Sequence, residues 1–306
     1  MDLDARPYRA FLRVAELGSF SRAAETLFIS QPSLSVQIRE LERRLGFELF
    51  RRHNRRVSLT PEGTIFLDRV RRLVIETDWL NQAARDIRDN RLRIGVAYYS
   101  DDIRERCELI DGFLSTHPDL PVSIIGRTHA QLIAAVRARD VDAAITLELV
   151  NADTASAVEP IDWSGLNRLA LGTRQVGILV PVSHQFAGGN IASAMLRGRE
   201  VALIGRAHGV ALSEGIAWRL TAAGASLVRP PESNAHAVHR YAVARGVLAS
   251  DLGWMGPTPT ELVRCEVDDW QLETRLVVVT PASDHRAATE VFLSDARVMF
   301  PDARDV

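Results

Sequence analysis

The chain has 306 residues, 46% hydrophobic and 25% charged, with a formal net charge of −2, an ordinary balance for a globular protein with a sizeable core and more than one domain. No stretch approaches the roughly 20 apolar residues of a membrane-spanning helix, and the start "MDLDARPYRAFLRVAELGSF" carries early acids and no signal-peptide core. Two cysteines, Cys107 and Cys265, make neither a disulfide framework nor a Cys-rich metal motif, so the expected location is the cytoplasm.

All 37 basic residues are arginine. A Walker A lysine, a pyridoxal-phosphate Schiff base and a Ser-x-x-Lys nucleophile are therefore excluded. The charge is also unevenly placed. Through Arg93 there are 18 Arg against 13 acids; the remainder has 19 against 26. A basic front and an acidic body suggest a nucleic-acid-binding end joined to a different kind of domain.

In chain order, Phe11, Val14 and Ala15 recur at helical spacing after "RPYR", and Gly18-Ser19 breaks that helix. "SRAAETL" predicts a second short helix with Ala23, Ala24 and Leu27 inward. In "FISQPSLSVQIRELERRLG", Ser30 is a good N-cap, Pro32 falls in the first turn, and Gly46 stops the helix. Leu34, Ile38, Leu41 and Leu45 form one apolar stripe; Pro32, Val36, Arg39 and Arg43 lie opposite, flanked by Ser33 and Ser35. A short helix, a tight turn and a helix of this kind make a helix-turn-helix, whose second helix can enter a major groove. The alternative is an ordinary solvated face.

"RRHNRRVSL" then predicts two short strands reversing near His53-Asn54, with Phe47, Leu49 and Phe50 anchoring them. That is a wing, and its guanidinium forks suit phosphates and narrow minor grooves. "TPEG" opens a further helix, with Thr60 as cap, Pro61 at the first position and Glu62 at the positive end. Phe66, Val70, Leu73, Thr77, Leu80, Ala84 and Ile87 step by fours and threes, the spacing of a helix–helix seam. This predicts a dimerising linker helix of about 40 Å, with a core helix of a single chain as the alternative.

Residues 8 to 66 resemble the DNA-binding domain of the LysR-type transcriptional regulators, on "FLRVAELGSFSRAAETLFISQPSLSVQIRELERRLGFELFRR" and "LTPEG". The resemblance implies a winged helix-turn-helix over 1–60, a linker helix over 61–90, and a two-lobed α/β effector domain of periplasmic-binding-protein type over 91–306. The expected lobes are 91–162 with 267–306, and 163–266. It places DNA contacts on Gln31, Pro32, Ser33, Ser35 and Val36, with Arg51, Arg52, Arg55 and Arg56 behind them; Ser21, Arg22 and Arg39 complete the candidate set. Val36 departs from the family pattern, where arginine is frequent; a valine can meet a thymine methyl but makes no bidentate bond to guanine. The implied partners are promoter DNA, a small-molecule effector, further copies of the chain as a homodimer or homotetramer, and RNA polymerase.

Beyond Asn90, "LRIGVAYY", "LPVSIIGR" and "VDAAITL" are apolar β-branched runs separated by helical segments such as "AQLIAAVRAR", which predicts a parallel α/β sheet. A second set follows in "QVGILVPV", "EVALIGR", "LSEGIAWRLTAAG", "SLVRPP", "AHAVHRYAVARG" and "GWMG", before "ETRLVVVTP" and the helix "RAATEVFLSDARVMF" close the chain. Two lobes with a cleft between them are expected. Ligands of such lobes bind beyond strand carboxyl ends and near helix N-termini. The residues so placed are Tyr99, Ser100, Arg127, Thr128, Thr146, Arg206, His208, Ser233 and His236. Each has a second reading as a cap or surface group. The family resemblance favours Ser100 and Thr128, and the several donors suggest an organic acid or other anion.

His236-x-x-His239 has no cysteine or carboxylate nearby to complete a metal set, and no nucleophile-elbow, zincin or dinucleotide motif occurs. Neither a metal nor a cofactor is expected, nor an enzyme. The competing reading is a two-lobed α/β enzyme or solute-binding module tethered to DNA.

Overall fold

The computed structural model describes residues 4–53, 56–150, 161–232, 234–254, 256, 258–283 and 286–306. Two compact units divide the chain, Met1–Arg88 and Asp89–Val306.

The first unit begins with α1 (Arg6–Leu17), α2 (Phe20–Thr26) and α3 (Gln31–Leu45). Local chemistry sets each boundary. α1 and α3 end on Gly18 and Gly46, both in the left-handed region that glycine tolerates. The Ser19 and Ser30 hydroxyls accept the Arg22 and Ser33 amides at the starts of α2 and α3. Phe11, Val14, Ala23, Ala24, Leu34, Ile38 and Leu41 form the core between the helices. The hairpin strands β1 (Phe50–His53) and β2 (Arg56–Leu59) pair antiparallel, Phe50 with Leu59 through His53 with Arg56. His53 is thus a strand residue, and Asn54, the other residue of the expected reversal, lies outside the described residues. Phe50 ties the hairpin to the helices, its ring 5.4 Å from Phe11 and 5.6 Å from Phe20. The Glu42 carboxylate on α3 also accepts the Leu49 and Phe50 amides, at 2.8 and 3.3 Å.

Helix α4 (Pro61–Arg88) starts on Thr60, whose hydroxyl accepts the Gly63 amide at 2.8 Å and donates to the Glu48 carbonyl at 2.7 Å. The expected seam divides along this helix. Phe66 and Val70 pack into the unit's own core, and Leu73 and Thr77 are half-buried. Only Leu80, Ala84 and Ile87 of the seven are exposed. A heptad stripe cannot tell a chain's own core from a partner helix, and here its first half serves the former.

The second unit contains two sheets, and neither is parallel throughout as expected. β3 (Leu92–Ala97), β4 (Val122–Arg127) and β5 (Ala143–Val150) pair in parallel around α5 (Arg104–Thr116) and α6 (His129–Arg137). β6 (Leu166–Gln175) and β7 (Gly177–Pro181) follow, β6 ending the chain's first pass through this sheet and β7 opening the other. Next come β8 (Glu200–Ala202), α7 (Val210–Ala222), β9 (Ser226–Val228), α8 (Ala235–Arg245), β10 (Leu248–Asp251) and β11 (Leu262–Glu266). β12 (Glu273–Pro281), α9 (Ala287–Met299) and the short β13 (Arg304–Asp305) return to the first sheet.

The resulting orders are β13-β6-β12-β5-β3-β4 and β11-β7-β10-β8-β9. β12 runs antiparallel between β5 and β6, where the chain re-enters the first sheet from the other lobe, and β7 runs antiparallel between β10 and β11, where it first enters the second. β6 thus belongs to the first sheet, although the division expected at 163 puts it in the second lobe; the crossing comes at Val176, where the returning chain's Leu272 carbonyl accepts the Val176 amide at 2.9 Å. "EVALIGR" forms a strand only through Ala202, and the strand near "GWMG" lies earlier, at β10. Across the first sheet, buried Glu148 on β5 takes Arg168 of β6 at 2.6 Å and Arg275 of β12 at 2.9 Å.

Candidate nucleic-acid interface and effector site

At the start of α3, Gln31, Pro32 and Ser33 are exposed, and Val36 is 56% exposed one turn on. Leu34 and Ile38 are fully buried beneath them, so one face of the helix is held by the core and the other is open. Ser35 corrects the expected set: it is only 7% exposed, and its hydroxyl accepts the Gln31 side-chain amide at 2.9 Å. It therefore positions Gln31 rather than offering itself outward. Ser21 and Arg22 are exposed at the start of α2, where the Arg22 guanidinium donates to the Leu17 carbonyl.

The cations along α3 differ in how far they are already neutralised. Arg43 and Arg44 both bond Glu40, at 2.7 and 2.9 Å; their hydrogen bonds, Arg43 first, lower the Glu40 carboxyl to about 2. Exposed Arg39 makes no ion pair among the described residues and bonds only the Ser35 carbonyl, at 3.3 Å. On the hairpin Arg51 is exposed, opposite Ser58. Arg52 and Arg56 occupy paired strand positions, and Arg55 lies outside the described residues.

In the second unit, several expected groups meet where the two lobes touch. Tyr99, in the turn after β3, stacks on His208, which follows β8, with centroids 4.7 Å apart. The Tyr99 hydroxyl accepts the Leu147 amide at 3.1 Å and shares a hydrogen bond with the Thr146 hydroxyl at 3.1 Å. Thr146 in turn lies 2.8 Å from Nδ1 of His129, the first residue of α6. His129 is absent from the sequence-predicted set; a lone histidine at a helix start carries no signal until Thr146, far along the chain, is brought beside it. The His208 Nδ1 faces the Gly205 carbonyl at 3.3 Å; a carbonyl only accepts, so that nitrogen bears the proton.

Burial lowers His129 and His208 to about 4 each, slightly opposed at His208 by the Gly205 carbonyl, and raises Tyr99 to about 12. The hub is uncharged at neutral pH. The Nε2 atoms of both histidines are buried and have no hydrogen-bond partner among the described residues, an arrangement that favours whatever can pair them.

The other expected effector residues are engaged elsewhere. The Ser100 hydroxyl, fully buried, donates to the Ala97 carbonyl at 2.6 Å and so closes its own turn. Thr128 caps α6 in a reciprocal capping box with Gln131. Arg206 pairs with Glu214 at 2.8 Å. His236 of the second lobe reaches Asp102 of the first at 2.8 Å. Ser233 lies outside the described residues. Arg127, two positions before His129, is half-buried and has no hydrogen-bond or ion-pair partner among the described residues. A surface groove of about 640 Å³ lined by Arg104, Glu105, Arg174, Trp254 and others includes none of the expected residues, and its Arg174 is already paired with Glu105 at 2.9 Å. Among the described residues, no group of three or more His, Cys, Asp or Glu is placed to hold a metal ion.

Comparison with known proteins bears on both units. Residues 6–64 match the family described as "Bacterial regulatory helix-turn-helix protein, lysR family", and residues 85–297 match the "LysR substrate binding domain". The HTH-type transcriptional regulator IlvR of Caulobacter vibrioides is 32% identical over 224 residues, 66% of this chain and 75% of that protein. XapR of Escherichia coli is 36% identical over 145 residues, 46% of this chain and 49% of that protein. For most of the curated relatives the match spans about half of their length. Among solved structures, full-length CbnR complexed with its target DNA has a TM-score of 0.63 at 18% identity, covering 97% of this chain and 99% of that one. A Corynebacterium glutamicum OxyR mutant has a TM-score of 0.61 at 22% identity, covering 99% and 93%. At these identities the structural likeness is one of fold.

Proposed function

The chain belongs to the LysR family of bacterial helix-turn-helix regulators, and on that premise we propose that it controls transcription by binding promoter DNA in response to a small-molecule effector. The observation that carries the reading is the open face at the start of α3, with Gln31, Pro32, Ser33 and Val36 exposed over a buried Leu34 and Ile38 and the arginine hairpin following. The helix start would read base edges while Arg51, Arg52, Arg55 and Arg56 take phosphates, which fix position without reading sequence. Ser21, Arg22 and Arg39 stand ready for further backbone contacts.

Self-association is supported by α4. Beyond its core-facing half it exposes Ile75, Trp79, Leu80 and Ile87, apolar groups that a second copy would cover. Ile75 and Trp79 lie off the heptad stripe and fall outside the expected seam. Either a dimer or a tetramer satisfies this. The effector's place is the junction of the lobes around Tyr99, Thr146, His129 and His208, with Arg127, unpaired among the described residues and two positions before His129, to draw an organic acid or other anion. Such a ligand acts only if it binds one arrangement of the assembly more tightly than another. The relatives are transcriptional regulators, and no observation favours the enzyme or solute-carrier alternative. Work at promoters places the protein in the cytoplasm, at the nucleoid when bound, with RNA polymerase as a further partner.

The test is duplex selection from a random library, followed by titration at several salt concentrations. Replacing Arg51, Arg52, Arg55 and Arg56 together with Ala should flatten the slope of log K against log salt by about 0.9 for each phosphate that is no longer neutralised. An unchanged slope refutes the hairpin's role.

A further inference from the structure

Between α2 and α3 the chain makes a tight turn through Leu27, Phe28 and Ile29. Leu27 and Ile29 pack against the core of the first unit. Phe28 between them is 96% exposed and has a φ of 55°, in the left-handed region. Both features run against the residue type: glycine or asparagine suits that conformation better, and an aromatic ring in water gains nothing from the fold. The turn is well held, with the Phe28 amide bonded to the Glu25 carbonyl and the Ile29 amide to the Ala24 carbonyl, each at 3.1 Å. The backbone therefore fixes where the ring projects, and nothing in its own unit covers it. Its place in the chain is directly ahead of Ser30 and the exposed Gln31, Pro32 and Ser33 at the start of α3. Val36 of α3 is a second exposed apolar group.

We propose that Phe28 is a DNA-contacting residue whose ring packs on an apolar edge of the bound duplex, either a deoxyribose or a thymine methyl. This rests on the DNA-binding reading above. With Val36 it adds apolar contact to a surface that otherwise offers mainly small and cationic groups, and such a contact differs from the arginines in being indifferent to counterion release.

The full chain is tested on a duplex that the wild-type protein selects from a random library. F28N and F28G suit the turn, so both should hold or raise the melting temperature. Each should bind the duplex about tenfold more weakly, a loss of about 1.4 kcal/mol, with the slope of log K against log salt unchanged. F28L and F28W should stay within about twofold of the wild type. Substituting deoxyuridine for thymidine separates the sources: a loss seen by the wild type and not by F28N identifies a methyl, and equal behaviour of the two identifies a deoxyribose. Wild-type affinity in F28N and F28G, or a loss that flattens the salt slope, overturns the proposal. So does a melting temperature that falls in step with affinity. If the wild type selects no duplex at all, the DNA-binding reading fails first and this one with it.

Discussion

Lowering the pH from neutral to 5 should weaken the second unit through His129 and His208, and the amount can be worked from the structure. Burial lowers each imidazole from 6.5 to about 4. The folded chain keeps both rings neutral in this range, while the unfolded chain protonates them from 6.5 downward. Between pH 6.5 and 4 the unfolded state thus binds more protons, and stability falls as the pH drops; below about 4 the folded rings protonate too and the loss levels off. Each pH unit inside the window is worth about 1.36 kcal/mol per ring, giving about 2 kcal/mol per ring at pH 5 and about 3 at pH 4. With a urea slope of about 3 kcal/mol per molar, each ring moves the unfolding midpoint by roughly 0.7 M at pH 5. The assay is urea unfolding of the full chain at pH 7, 6 and 5, read by tryptophan fluorescence. Trp163, Trp218, Trp254 and Trp270 all lie in the second unit. His208→Phe removes one titrating ring and can still stack on Tyr99, so its midpoint should fall roughly 0.7 M less than the wild type's on going from pH 7 to 5. His184 and His239, also lowered chiefly by burial, are common to both proteins and cancel in the difference. Equal midpoint shifts in the two proteins would refute the reasoning.

Two further substitutions test the packing of each unit. A methyl at Gly63 would stand 2.2 Å from the Leu49 carbonyl oxygen; Gly63→Ala should therefore lose about 1–3 kcal/mol by overpacking, whereas helix propensity alone predicts a gain of about 1. The sign of the change in the first unit's melting temperature, followed by circular dichroism, decides between them. Glu148→Gln leaves the largely buried Arg168 and Arg275 guanidinium groups without their shared carboxylate and should destabilise the second unit by about 3–5 kcal/mol; a loss under about 1 kcal/mol in urea unfolding would mean that β5, β6 and β12 are held by their ladders alone.

Much of the first unit is legible in the sequence because its signals are local. Ser30, Pro32 and Gly46 mark the ends of α3 within the sequence that forms it, and the Leu34, Ile38 and Leu41 stripe is buried as its spacing predicts. The second unit is less so. β6, "LNRLALGTRQ", mixes polar and apolar residues with a glycine and lacks the β-branched run that marks β12, and its register with β12 shifts between Leu276 and Val277. The four residues of β10 are buried on both faces and show no alternation to read. The direction of pairing is set by where the chain returns between lobes, which no window of sequence contains.

The same distinction explains the candidate sites. A hydroxyl after a strand is equally suited to cap a helix, close a turn or hold a ligand, and only its neighbours decide. Ser100 and Thr128 have local partners, three residues away, and are used locally. Thr146 has none; its partners, Tyr99 and His129, come from a different strand end and a different helix start, so the fold has to assemble them. A polar network that spans elements, with two buried imidazole nitrogens left over, is harder to account for as packing than a cap is. Ser100 and Thr128, the two that the family resemblance favours, are thus ones the fold itself consumes. The stronger effector candidates are those whose partners lie far along the chain, and by the same argument Phe28, whose 96% exposed side chain has no partner among the described residues of its own unit, points outward from it.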